Sequence, residues 1–314
     1  MHAFLHAVHV FFGHLAAVHW TALAIGLACH FGKLLVRTSA WRNIVAAAFP
    51  EAEVPWRRIF GAYVAGVGVN SIVPARGGDA VKLYIARRAI DGGNYPTLAA
   101  TLVVETLFDT VAATSLLLWA LTLGVLPGLH VLPKLPSVDW TWAYRHPRHA
   151  AVLASILAVV LFEVSLWAAR RVEQFWRRVA RGFAVLRPPS RYVLRVATWQ
   201  ALSWVLRIAS TWWFLRAFAV PATVHNALLV TVVQSLATLL PFSPGGAGTQ
   251  QGLLVYVFRG KFSTTRLLSF SVGMNIAQTA LNVLLGFAAI FITLRTLHWR
   301  RLVHAEQQAP AEVP

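Results

Sequence analysis

Asn70-Ser71-Ile72-Val73-Pro74-Ala75-Arg76-Gly77-Gly78-Asp79-Ala80-Val81-Lys82 takes over where an apolar run, 59–73, ends too short to cross a bilayer. Leu240-Pro241-Phe242-Ser243-Pro244-Gly245-Gly246-Ala247-Gly248 closes a second short run, 227–240. Proline lacks the amide proton a helix interior needs, and glycine frees the backbone, so each stretch predicts a broken helix. Non-helical backbone at membrane depth is tolerated only around a polar cavity. Paired breaks in matching positions of two halves therefore point to the place where such a protein handles polar cargo.

The rest of the chain sets these breaks in a membrane. Of 314 residues 57% are hydrophobic and 12% charged, against about 45–50% and 25% in soluble domains. That composition excludes a disordered chain, and a single cysteine, Cys29, excludes a disulfide scaffold. Stretches 15–36, 98–126, 150–169 and 267–294 reach the roughly 20 residues a membrane helix needs. Stretch 193–219 does so while carrying Arg195, Arg207 and Arg216. The expected fold is all-α, a polytopic membrane helix bundle with two broken, re-entrant segments forming an inverted repeat. One integral membrane domain covers 1–301, its halves 15–126 and 193–294 joined by a helix at 150–169 and a basic surface helix at 170–191. A disordered tail, 302–314, follows.

Charge orients this layout. The formal net charge is +17, which on so apolar a chain reads as loops facing anionic lipid rather than nucleic acid. With one break entering from each side, twenty Lys and Arg fall inside and seven outside, leaving out Arg207. The expected N-terminus is outside and the C-terminus cytoplasmic. Residues 1–15 have four histidines and no Lys or Arg, unlike a cleaved signal.

Several residues are candidates for function. Arg76 and Lys82 place positive charge beside the first break, where a phosphate would be met, and Asp79 is expected to pair with one of them. Glu105 and Asp109, four apart, share a helix face, with Arg207 and Arg76 as expected partners. At the second break Gly245, Gly246 and Gly248 allow close backbone approach, and Ser243, Thr249, Gln250 and Gln251 offer neutral hydrogen-bond groups. A helix starting near Thr249 would aim its N-terminal amides at an anion. His2, His6 and His9 are spaced for a metal, but without a nearby Cys or carboxylate they read as interfacial, as do His146 and His149. No metal or cofactor is expected.

Taken in order, Asn70…Pro74-x-Arg76-x-Gly78-Asp79-x-x-Lys82, Glu105-x-x-x-Asp109 and Leu240-Pro241-x-Ser243-Pro244-Gly245-Gly246-x-Gly248 resemble the lysylphosphatidylglycerol synthase transmembrane-region family, also described as flippase-like. Arg37…Trp41-Arg42 adds to the likeness, which covers roughly 20–295. The resemblance implies a bacterial or archaeal membrane protein, placed here in the bacterial inner membrane, with relatives that move or handle charged phospholipids or polyprenyl-linked lipids. Gln251 stands where the family often has an acid, and Thr106 where an arginine commonly follows the first acid. The family's usual preceding helix finds too few residues in 1–15, and the 20 residues after the last helix cannot hold an aminoacyl-transferring domain.

The leading expectation is a lipid flippase-like protein, not an enzyme, that translocates or handles an anionic or polyprenyl-linked headgroup. Its substrate site would comprise Asn70, Arg76, Asp79, Lys82, Glu105, Asp109, Arg207, Ser243, Gly245, Gly246 and Gln251. The alternative is a non-transporting accessory subunit of a lipid- or glycan-modifying membrane enzyme. A membrane transferase ranks last, because loop 127–149 carries Asp139 alone among acids.

Overall fold

The computed structural model describes residues 18–73, 77–123, 177–186, 189–239 and 248–307. Among these every element is helical. The expected all-α class is what the chain adopts. The connector at 150–169 lies outside the described residues, as do Arg76, Ser243, Gly245, Gly246 and the amino-terminal histidines.

The first half contains four helices: α1 (Trp20–Ala48), α2 (Trp56–Asn70), α3 (Gly77–Ala89) and α4 (Tyr95–Thr122). The second contains α5 (Thr198–Ala217), α6 (Val224–Leu239), α7 (Thr249–Val257) and α8 (Thr264–Gln307). Local chemistry starts several of them. Asn94 caps α4 by accepting from the Thr97 amide at 3.1 Å, with Pro96 in the first turn, where no amide proton is needed. Gly248 takes φ +85, a left-handed value suited to glycine, just before α7. Its N–H donates to Gln251 Oε1 at 2.6 Å, so the glutamine in the acid's place closes the start of that helix.

Both breaks separate short helices. At about 1.5 Å per residue α2 rises roughly 22 Å, less than a hydrocarbon core of about 30 Å. It folds back on α3 as an antiparallel hairpin, because two glycines let the backbones meet. A Cβ on Gly66 would come within 2.9 Å of the Gly78 carbonyl and 2.8 Å of Lys82 Cβ. Asn70 fastens the joint: its Oδ1 accepts from the Gly78 amide at 2.7 Å and its Nδ2 donates to Asp79 Oδ1 at 3.0 Å. In the second half α6 and α7 are also in contact.

Two apolar cores result. One gathers Trp41, Ile59, Val64, Ala86 and Leu98 from α1 to α4. The other gathers Phe214, Leu229, Leu254, Phe270 and Met274 from α5 to α8. Helix α1 belongs to both, with Ala22 in the second core and Trp41 in the first. Outward, α4 exposes Val103, Leu107, Val111 and Leu118, and α8 exposes Ile276, Leu284, Phe287 and Phe291. These two helices are long and apolar enough to cross a membrane, and hydrocarbon is the solvent their bare faces require.

Three expected boundaries shift. Helix α1 runs to Ala48 rather than stopping at Val36, so Arg37 lies within a helix instead of just past its end. Helix α8 continues to Gln307, past the expected tail boundary at 301. The described part of 170–191 does not lie free on a surface: Val185 is fully buried with Ile44, Val104 and Val196, and Thr97 Oγ1 donates to the Arg178 carbonyl at 2.8 Å.

Candidate functional site: a cationic, amide-lined cavity

Within α1, His30, Lys33 and Arg37 follow at intervals of three and four, which stacks them on one face. Glu105 and Asp109 do the same on α4. The faces meet. One Arg37 nitrogen, Nη2, donates to Asp109 Oδ2 at 2.6 Å and to Glu105 Oε1 at 3.2 Å. Lys82 reaches the other Glu105 oxygen at 2.6 Å. Trp204 Nε1 holds Asp109 Oδ1 at 2.9 Å, and Arg37 Nε donates to the Tyr63 hydroxyl at 2.8 Å.

This arrangement corrects the expected pairings. The partners of Glu105 and Asp109 are Arg37 and Lys82, not Arg207. Asp79 is bound by Asn70 rather than by Lys82. Lys82 and Glu105 are each 5% exposed, and the Lys82 ammonium also sits 4.0 Å over the Trp41 ring. Two cations against two carboxylates, with every carboxylate oxygen engaged, make a neutral knot that locks α1, α3 and α4 together.

Beside the knot, between the two apolar cores, lies a cavity of about 300 Å³. Helix α1 contributes His30, Lys33 and Arg37, and α5 contributes Arg207, Ser210 and Thr211. The other helices contribute amides: Gln234 from α6, Gln250 from α7, and Asn275, Gln278 and Asn282 from α8. None of the described residues that line it is acidic. Among the described residues neither Lys33 nor Arg207 has a carboxylate within 4.0 Å. Arg207 stacks on Trp204, 4.9 Å from the ring centre, and donates weakly to Ser235 Oγ at 3.3 Å.

A directed hydrogen-bond chain links the cavity to the first break. Lys33 as an ammonium can only donate, so His30 Nδ1 accepts at 3.3 Å and its Nε2 carries the proton. That Nε2–H donates to Asn282 Oδ1 at 3.0 Å, and Asn282 Nδ2 donates to Ser71 Oγ at 3.2 Å. Asn282 can reach both because α2 and α8 touch at glycine: a Cβ on Gly68 would lie 2.8 Å from Gly286 Cα. Of the expected residues, Arg207 lines the cavity, while Lys82, Glu105 and Asp109 form the knot behind it. Asn70 and Asp79 hold the hairpin joint, and Gln251 caps α7.

Sequence reasoning missed Lys33, Arg37 and His30. The signal was there: three polar groups at helical spacing in an apolar run deserve the inference drawn for Glu105 and Asp109. Ending the helix at Val36 turns Arg37 into a loop charge.

An all-helical bundle with outward-facing apolar helices and a polar, cation-lined hollow between two cores has the build of a membrane protein. The chain belongs to the lysylphosphatidylglycerol synthase TM region family, whose sequence model matches residues 8–286. It is thereby a membrane protein of lipid metabolism or transport. No curated protein and no solved structure matches it.

Proposed function

We propose that the chain is a flippase-like, multi-pass protein of the bacterial inner membrane that takes the anionic headgroup of a phospholipid or polyprenyl-linked lipid into the cavity and passes it across the bilayer. The observation that carries this reading is the imbalance at Lys33 and Arg207, two half-buried cations that line the hollow without a carboxylate within 4.0 Å among the described residues. A charge partly withdrawn from water is costly unless paired, so the hollow favours a ligand that brings negative charge. Phosphate oxygens suit both, the guanidinium as a fork and the ammonium as a point charge. Acyl chains would remain in lipid, which removes the need for a wide pore, and no bond is made or broken. Two hairpins of short helices, dipping in from opposite faces with the N-terminus outside, would open the cavity to each side in turn.

Reconstituted vesicles carrying a fluorescent anionic phospholipid test it. Losing two charge-assisted contacts, in the Lys33→Gln/Arg207→Gln double variant, is expected to slow translocation by at least about tenfold. Unchanged rates in a variant that elutes and melts like the parent would overturn the reading.

A further inference from the structure

Arg37 belongs to two places at once. It lines the hollow with Lys33, Arg207 and Tyr63, and it ties α1 to α4 in the knot. The knot is not uniform. The side chains of Lys82 and Glu105 are 6% and 7% exposed, whereas those of Arg37 and Asp109 are 20% and 27% exposed. Ion pairs open to water are worth little, while breaking a buried pair is strongly unfavourable. One half of the knot is therefore fixed and the other can be exchanged.

The bonds Arg37 makes point the same way. Both carboxylates share a single nitrogen, Nη2, and Nε donates to the Tyr63 hydroxyl. Nη1 bonds nothing among the described residues, so the fork a guanidinium offers to an oxyanion is only half used. A phosphate in the hollow would present two oxygens to that fork. Each carboxylate can spare the arginine: Glu105 keeps Lys82 at 2.6 Å, and Asp109 keeps Trp204 at 2.9 Å and its access to water. One turn further along α1, Trp41 Nε1 donates to Thr101 Oγ1 at 3.1 Å in a buried, uncharged bond that an anion does not compete for.

We infer that Arg37 is a third cation for the ligand, captured from Asp109 when a phosphate enters, so that loading the hollow unties α1 from α4 at Asp109 while Trp41 and Thr101 keep the two helices hinged. This rests on the headgroup reading above and adds how occupancy of the hollow is passed to the helices around it.

Competition for Arg37 requires that damage to the open side of the knot strengthen binding. The test is retention of phosphatidylglycerol by the purified full chain in micelles, read by native mass spectrometry. Asp109→Asn keeps the side-chain shape, and its amide oxygen can still accept from Trp204. It is expected to hold about threefold more lipid than the parent, the scale of an exposed ion pair set free. The same change made in Arg37→Gln protein is expected to add nothing. Retention by Asp109→Asn at or below the parent level overturns the inference and leaves the charged site standing. A gain of equal size in both backgrounds also overturns it, because it reports only one negative charge fewer near the hollow. Retention unchanged by Lys33→Gln/Arg207→Gln overturns the headgroup reading itself. Hydrogen exchange needs no variant: adding phosphatidylglycerol to the parent is expected to raise amide exchange over 106–112 of α4 and not over 98–104. Exchange unaltered or slowed at 106–112 overturns the untying of α4.

Discussion

Glu105 receives three bonds from side chains that would otherwise be charged or polar in an apolar surround: Arg37 and Lys82 on its carboxylate, and Gln200 on its carbonyl at 2.7 Å. Removing its charge strands Lys82, which is 5% exposed between two aromatic rings. Glu105→Gln is therefore expected to lower unfolding free energy by about 3–5 kcal/mol, read by thermal or denaturant melting in micelles. Combining it with Lys82→Met should recover much of that loss, since the pair leaves together. A melting curve like the parent's for Glu105→Gln alone would show that the knot is not structural. The opposite sign holds at Lys33. Replacing a cation without a carboxylate partner should leave the melting temperature unchanged or raise it, while headgroup retention falls.

At the scale of elements, the decisive contacts are those where backbones touch. Gly68 and Gly286 bring α2 against α8, and Asn282, one turn before Gly286, then spans from His30 to Ser71. A methyl group at Gly286 would come within 2.7 Å of Gly68 Cα and cannot be accommodated by a rotamer change, because the opposing atom is backbone. Gly286→Ala is expected to destabilise the protein by about 1–3 kcal/mol and to weaken lipid retention as the Asn282 bridge lengthens. Amide hydrogen exchange over α2 should rise with it. Exchange and retention both unaltered would mean that the two helices have room to part. The sequence made both hairpins legible through Pro74 and Pro241 and their glycines. It did not reveal that Asn70 and Asp79 serve the joint, because Asn70 takes the Gly78 amide, which is free to bond only once the helix has started there, and gives its own N–H to Asp79.

For the molecule as a whole, two cores flank one cavity, and α1 and α8 run through both. A ligand seated between them stabilises only the folded arrangement, by about 2.7 kcal/mol at a hundredfold excess over its dissociation constant. Adding phosphatidylglycerol is thus expected to raise the melting temperature of the parent protein, and not that of Lys33→Gln/Arg207→Gln. An equal rise in both would place the lipid on the outer belt, against faces such as Leu284 and Phe291, rather than in the hollow.

Composition and local pattern by themselves determined that this chain is helical, lives in a membrane, breaks two of its helices and sets Glu105 and Asp109 on one face. Those properties depend on residues within a turn or two of each other. Only the tertiary structure decided which cations the acids hold and which are left over. Arg37 lies 68 residues from Glu105 in the chain, and Lys33 and Arg207 line one cavity only because α1 packs along α5. Charge pairing in an apolar interior acts over a few ångströms, whereas the sequence separations that create it are set by how whole helices pack.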